Sequence, residues 1–177
     1  YSDWPAYVKA HPFPDPEVIS TFAASVPDTV AWLNGFGLRF EPQPIYLLTQ
    51  NTTRIAAKGG GLALIERLMQ EAKSLGANVL FETTAVDLLR DDDGRVAGIL
   101  AVGPDGLRKR ITARATVLAS GGYQGNQEMM THYIGPKACY IRPVARGGYY
   151  NKGEGLRMAL AAGAAPAGEY GSYHAEP

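Results

Sequence analysis

The strongest constraint on the fold is a change of pattern near residue 114. Three short segments, Thr83–Arg90, Arg95–Val102 and Leu107–Ala113, mix apolar and polar positions and are separated by Asp91-Asp92-Asp93-Gly94 and Pro104-Asp105-Gly106. Aspartate, proline and glycine at those places are turn formers, so the three segments predict an antiparallel meander. Asn78–Phe81 reads as a further short strand ahead of it. Ala115-Thr116-Val117-Leu118-Ala119-Ser120 does not alternate and ends in Gly121-Gly122. A short, nearly all-apolar run of this kind predicts a strand buried on both faces of a parallel sheet. The three consecutive aspartates fit a solvated hairpin tip better than a metal site.

Helical spacing surrounds this β region. Leu64, Ile65, Leu68, Ala72 and Leu75 share one face of a helix over 61–76, with Gly76 as its stop. Asp15 is placed to cap a helix that has Pro16 at its first position and Val18, Ile19 and Phe22 at helical spacing. Asp28–Leu33 predicts a second short helix with Val30 and Leu33 inward, stopped at Gly35 or Gly37. Phe40–Thr53 reads as loop with an extended piece at Ile45–Leu48. Asn126–Ile134 and Gly155–Ala162 predict two more helices, the latter packing through Leu156, Ala159 and Leu160, with Arg142–Lys152 as a loop before it. The domain reading is one partial α/β domain: a helical and loop segment (1–57), a helix, meander and buried strand (58–122), and helices with a loop (123–177).

Composition narrows the function classes. The 177 residues are 46% apolar and 19% charged, which suits a packed core rather than disorder. Lysine plus arginine and aspartate plus glutamate are 17 each, a formal charge of zero, so bulk charge gives no grip on nucleic acid or a membrane surface. No apolar run reaches the ~18 residues of a spanning helix. The single cysteine, Cys139, excludes an internal disulfide or a multi-cysteine metal site and suits a cytoplasmic setting. The chain opens Tyr1-Ser2-Asp3-Trp4, without an initiator methionine, so it is expected to be a piece of a longer protein.

Three glycine-bearing stretches can carry chemistry. Gly59-Gly60-Gly61 opens the long helix, where main chain can approach a phosphate or simply turn; it is not a GxGxxG fingerprint, and no strand clearly precedes it. Ala119-Ser120-Gly121-Gly122 ends the apolar run, where glycine lets main chain lie against a flat ring or a pyrophosphate, or makes a plain tight turn. Gly153-Glu154-Gly155 begins a helix, where the carboxylate can favour the helix dipole or meet a ligand. His11, His132 and His174 share no metal-ligand spacing. His174 lies among polar and aromatic groups after the last helix and, taken alone, reads more readily as an ordinary loop residue than as a site residue. No GxSxG or Ser/His/Asp arrangement supports a nucleophilic hydrolase.

Taken in order, these pieces resemble the flavoprotein subunits of the fumarate reductase and succinate dehydrogenase family. The resemblance over 54–177 is carried by Gly59-Gly60-Gly61, Gly76-Ala77-Asn78-Val79 and Thr84-Ala85-Val86-Asp87-Leu88-Leu89. It continues through Asp93-Gly94-Arg95-Val96-Ala97-Gly98, the run Ala113 to Gly122, Gly153-Glu154-Gly155 with Met158-Ala159 and Gly163-Ala164, and Tyr173-His174. Trp32-Leu33 and Gly37 are similar to the helical stretch that precedes the family's core. Asn151-Lys152-Gly153-Glu154-Gly155 with His174-Ala175-Glu176-Pro177 is most similar to the soluble, tricarboxylate-oxidising branch.

The resemblance implies an α/β fold, α+β when taken as a fragment: part of an FAD-binding Rossmann-like domain with an antiparallel meander, without the GxGxxG βαβ unit and the capping domain. It implies FAD as cofactor and hydride transfer between the flavin and a di- or tricarboxylate such as tricarballylate, fumarate or succinate, the fragment alone being inactive. Ala85 and Val86 correspond to the strand beside the adenine, and Ala119, Ser120, Gly121 and Gly122 to the turn beside the dinucleotide. Gly153, Glu154 and Gly155 match the element near the flavin; Glu154 stands where the family more often has aspartate, and Lys152 replaces a threonine. His174 corresponds to the histidine that binds a substrate carboxylate, and Arg146 is a candidate anion contact. No catalytic residue and no metal ligand is expected in this stretch. The expected partners are a small carboxylate, an electron acceptor of unstated identity and, through the open edge at 115–119, a second copy of the fragment, with membrane association only through another protein. The rival readings are a 3-ketosteroid dehydrogenase-type flavoenzyme and a non-catalytic binding or structural module.

Overall fold

The computed structural model describes residues 15–43 and 54–173, which fall into two compact units, 15–80 and 81–173. The chain mixes helices with antiparallel sheets. In the first unit, helix α1 spans Pro16–Gly35. The Asp15 carboxylate accepts from the N–H groups of Glu17, at 2.9 Å, and Val18, at 3.5 Å, and so satisfies two donors that the first turn leaves open. The sequence predicts a break before Asp28, yet one helix runs through Pro27. Proline removes a single N–H from the ladder of a 20-residue helix. The hydroxyls of Ser25 and Thr29 bond back to the carbonyls of Thr21 and Ser25, so the backbone stays engaged on either side of it. Val18, Phe22 and Trp32 of α1 are exposed, and Trp32 meets Phe36 edge-on at 4.8 Å.

Strands β1 (Phe40–Gln43) and β2 (Arg54–Ala57) pair antiparallel, Phe40 opposite Ala57. Phe40–Gln43 is therefore strand where the sequence suggests loop. Pro42 disguises it, and in a two-stranded ribbon every strand is an edge, where a missing N–H costs little. The extended piece expected at Ile45–Leu48 lies outside the described residues. Helix α2 spans Gly60–Ser74 and ends as expected. Gly76, at φ 81°, turns the chain so that its N–H bonds the Lys73 carbonyl and that of Ala77 bonds the Ala72 carbonyl. The Arg67 guanidinium joins α2 to the end of α1: it donates to the Phe36 carbonyl and pairs with Glu71 one turn on.

The second unit contains the predicted meander. Strands β3 (Thr84–Arg90), β4 (Val96–Val102) and β5 (Arg108–Thr112) form one antiparallel sheet in that order. Asp91 fixes the first turn by accepting from the N–H groups of Asp93 and Arg95. In the second turn the Asp105 carboxyl is held below its ordinary 3.8, first by the Leu107 N–H and then by Lys109. Gly98 is obligatory: at φ 144° its missing Cβ would stand 2.1 Å from the Ile111 carbonyl oxygen across the sheet. Asn78–Phe81 forms no strand. The turn after α2 ends ahead of that stretch, which joins neither sheet among the described residues.

The apolar run 115–119 is a further correction, for it enters no strand ladder. Val117 is 87% exposed, whereas the sequence places it in a two-sided sheet interior. A strand exists only where a neighbour accepts and donates along its length, and among the described residues none pairs with this run. The Thr116 Oγ1 is buried there with no hydrogen-bond partner.

Helix α3 (Gln127–Ile134) is capped by Asn126, whose side chain accepts from the N–H groups of Glu128 and Met129. Helix α4 (Glu154–Ala161) packs against β3, and Arg90 donates to the Ala161 carbonyl at 3.2 Å. Its buried positions are Gly155 and Met158, while Leu156, Ala159 and Leu160 are half-buried. The packing face is thus turned from the expected one, because Gly155 admits the side chains of Ser120 and Leu118 where a larger residue would hold them off. Met129, Met130 and Met158, with Leu89, Ala101 and Ala138, are the buried apolar side chains of this unit. Full burial of a methionine contributes about 1.5–3 kcal/mol.

Candidate functional site

Two loops of the second unit are stitched together by main chain. The Gly153 N–H donates to the Gly122 carbonyl at 3.1 Å, and the Gly125 N–H to the Asn151 carbonyl at 2.8 Å. The Asn126 side-chain amide donates to the Lys152 carbonyl at 2.9 Å while its carbonyl oxygen caps α3. Three of the sequence-selected residues, Gly122, Gly153 and Gly155, therefore meet directly or through Ser120. A Cβ on Gly155 would lie 2.3 Å from the Ser120 Oγ, and one on Gly153, which has φ 76°, would lie 2.5 Å from the Met129 Sδ. Glycine at 153 is thus required both for its left-handed backbone and for the close approach.

The inner side of this junction is closed and its outer side is open. Gly153 and Gly155 are buried, whereas Ala119, Ser120 and Gly121 are exposed. Gly121 has φ 75°, and the Asn151 side chain lies 3.0 Å from where its Cβ would stand. Such a surface suits a flat ring or a pyrophosphate laid against backbone. The Glu154 carboxylate folds back to accept from the Lys152 N–H at 3.2 Å, so it stabilises the loop at the start of α4.

Beside the junction lies a cleft of about 550 Å³. Gly122, Gln124 and Asn151 form its glycine side, Met130, Ile134 and Ile141 its apolar wall, and Arg142 and Tyr173 bring polar groups. The Arg142 guanidinium donates to the carbonyls of Cys139 and Ile141, which fixes the charge at the wall. Arg146 begins the short 3-10 turn Arg146–Tyr150, is exposed, and does not line the cleft. His174 lies outside the described residues, but Ser172 and Tyr173 line the cleft. Ala85 faces Ala101 across the sheet, and Val86 is the exposed residue of a β-bulge before Asp87. In the first unit, Gly59, at φ 84°, precedes α2, and β2 stands just before it, contrary to the sequence expectation of no strand.

Gly125, Asn126 and Tyr123 are not among the site residues read from sequence, and Asn151 enters there only within the stretch Asn151–Gly155. Only Gly125-Asn126 before a helical run carries a local signal, an N-cap preceded by a turn residue. The need for glycine at 125 is tertiary: its Cβ would stand 2.3 Å from the Tyr149 carbonyl oxygen. Among the described residues, no three His, Cys, Asp or Glu side chains gather to hold a metal, and no helix is long and apolar enough to cross a membrane.

Residues 3–172 match the FAD binding domain family. The chain is 31% identical over 159 residues to a vinyl phenol reductase of Lactiplantibacillus plantarum, covering 85% of this chain and 31% of that protein. It is 33% identical over 90 residues to a 3-oxosteroid 1-dehydrogenase of Comamonas testosteroni, covering 50% and 16%. It also superposes on the open conformation of a flavocytochrome c3 fumarate reductase with a TM-score of 0.63 at 25% identity, covering 78% of this chain and 25% of that one. The chain spans about a third or less of the length of each of these proteins. The family model spans nearly the whole chain, and the chain belongs to the FAD binding domain family of fumarate reductase-like flavoproteins, whose cofactor is FAD.

Proposed function

We propose that the whole protein is an FAD-dependent oxidoreductase that moves a hydride between the flavin and a small di- or tricarboxylate, and that this chain supplies one wall of its flavin and substrate site. The observation that carries the reading is the fixed Arg142 guanidinium in a cleft adjoining the braced turn 120–122. Bound FAD supplies the two-electron chemistry, accepting or giving a hydride at N5. The chain's own residues do the rest. Ala119, Ser120 and Gly121 present backbone to the cofactor, Gly153–Gly155 hold that backbone in place, and Arg142 and His174 bind carboxylates. Arg146 is assigned to attract the anion at the rim, and Ala85 and Val86 to the adenine end. Asn151–Gly155 together with His174–Pro177 favours tricarballylate, oxidised to cis-aconitate, over fumarate or succinate.

A second reading rests on the apolar wall of Met130, Ile134, Ile141, Pro143 and Val144. That wall suits an apolar ring, as do the names of the vinyl phenol reductase and 3-oxosteroid dehydrogenase relatives. Steady-state turnover of the full-length enzyme separates the two. The carboxylate reading expects activity on tricarballylate, succinate or fumarate well above that on a 3-oxosteroid or a vinyl phenol; the reverse order overturns it. The isolated 177-residue chain is further expected to self-associate through the exposed run at 115–119. Light scattering should report a mass above 19.0 kDa that falls when Val117 is replaced by lysine; a monomer at high concentration contradicts this.

A further inference from the structure

We propose that Tyr123 is a positioning residue: its hydroxyl holds the segment that carries Ser172 and Tyr173 into the cleft. Tyr123 follows the braced turn directly, and its O–H donates to the Tyr170 carbonyl, 47 positions along the chain. The bond is set among rings. Tyr123 lies 5.5 Å from Tyr133, and Tyr133 lies 5.0 Å from Tyr170, centroid to centroid. All three tyrosines are half-buried, so water competes weakly for the hydroxyl. Burial, with Tyr133, Glu169 and Tyr170 nearby, pushes the Tyr123 phenol above its usual 10.0.

The next residues are held from both sides. The Gly171 N–H donates to the Glu169 carboxylate at 2.8 Å, and a Cβ on Gly171 would lie 3.0 Å from the Tyr133 carbonyl oxygen. Ser172 and Tyr173 then line the cleft, and His174 follows Tyr173 in the sequence. The hydroxyl thus couples the cofactor-side turn to the substrate-side segment through one hydrogen bond. The inference rests on the carboxylate reading given above, because it takes His174 as the substrate contact.

The test is Tyr123→Phe in the full-length enzyme, which removes the hydroxyl and keeps the ring. KM for the carboxylate should rise roughly 3- to 10-fold, as expected for one hydrogen bond, with kcat and flavin content little changed. Gly171→Ala, which displaces the same segment without touching the hydroxyl, should also raise KM and serves if Tyr123→Phe fails to fold. In the double variant with His174→Ala the two effects should not add, since Tyr123 acts through the segment that bears His174. An unchanged KM in Tyr123→Phe or in Gly171→Ala, or additive effects, overturns the positioning role while leaving the carboxylate reading intact. If His174→Ala leaves KM unchanged, the carboxylate reading falls and the positioning role toward His174 falls with it.

Discussion

Replacing Gly125 with alanine is expected to cost about 3 kcal/mol of stability and to strip flavin from the full-length enzyme, in the upper part of the range for forcing an atom into a packed site. The new Cβ would stand 2.3 Å from the Tyr149 carbonyl oxygen and 2.8 Å from that of Gly148. Both are main-chain atoms, so no side-chain rotation relieves the clash. The 148–151 loop must retreat, and with it go the bond from the Gly125 N–H to the Asn151 carbonyl and the neighbouring bond from Gly153 to Gly122. The turn at 120–122 then loses its brace. Gly147→Ala is the control, because nothing lies within 4 Å of its Cβ position and its φ is not in the left-handed region. Urea unfolding and the flavin-to-protein absorbance ratio report both effects. A Gly125→Ala enzyme that matches Gly147→Ala in midpoint and flavin content would show that the brace does not hold the cofactor surface.

The second large effect belongs to His174. His174→Ala in the full-length enzyme should raise KM for a di- or tricarboxylate and lower turnover, with the flavin retained. An imidazole can donate to a carboxylate in either ring tautomer and adds charge when protonated. The proposed task is placement: hydride transfer requires the donor carbon aligned with the acceptor, and a shift of ~1 Å costs roughly 10²-fold. Glu154→Ala should fail differently. Its carboxylate braces the Lys152 N–H, so its loss should loosen flavin first and substrate second. Kinetics and flavin content measured on the same preparations separate the two. Wild-type KM and turnover in a fully flavinated His174→Ala enzyme would reduce His174 to a loop residue.

What the sequence makes legible is what local chemistry decides. The meander is readable because two aspartate- and glycine-bearing turns space three short segments, and α2 because its apolar positions repeat along one face and Gly76 stops it. The caps at Asp15 and Asn126 are equally local. The errors arise where a partner decides. Phe40–Gln43 becomes strand because Arg54–Ala57 lies beside it, and Ala115–Ala119 stays without a ladder because no described strand does. Pro27 misleads because a helix survives one missing bond when its neighbours hold it. At the site, glycine at 121, 122, 153 and 155 signals a backbone surface, but the reason for Gly125 and the reach of Tyr123 to Tyr170 appear only when loops distant in sequence come together.

A flavin held against the 120–122 turn is expected to exchange a hydride with a carboxylate in the adjoining cleft. The most direct measurement is an anaerobic titration of the purified full-length enzyme, followed in the visible flavin band. The account predicts a yellow protein with about one FAD per chain, whose band bleaches on addition of tricarballylate or succinate, or returns when the reduced enzyme meets fumarate. Both changes should be strongly diminished in the His174→Ala enzyme at the same substrate concentration. A protein without flavin, or a flavin that responds to a 3-oxosteroid or a vinyl phenol and not to any of these carboxylates, would contradict it.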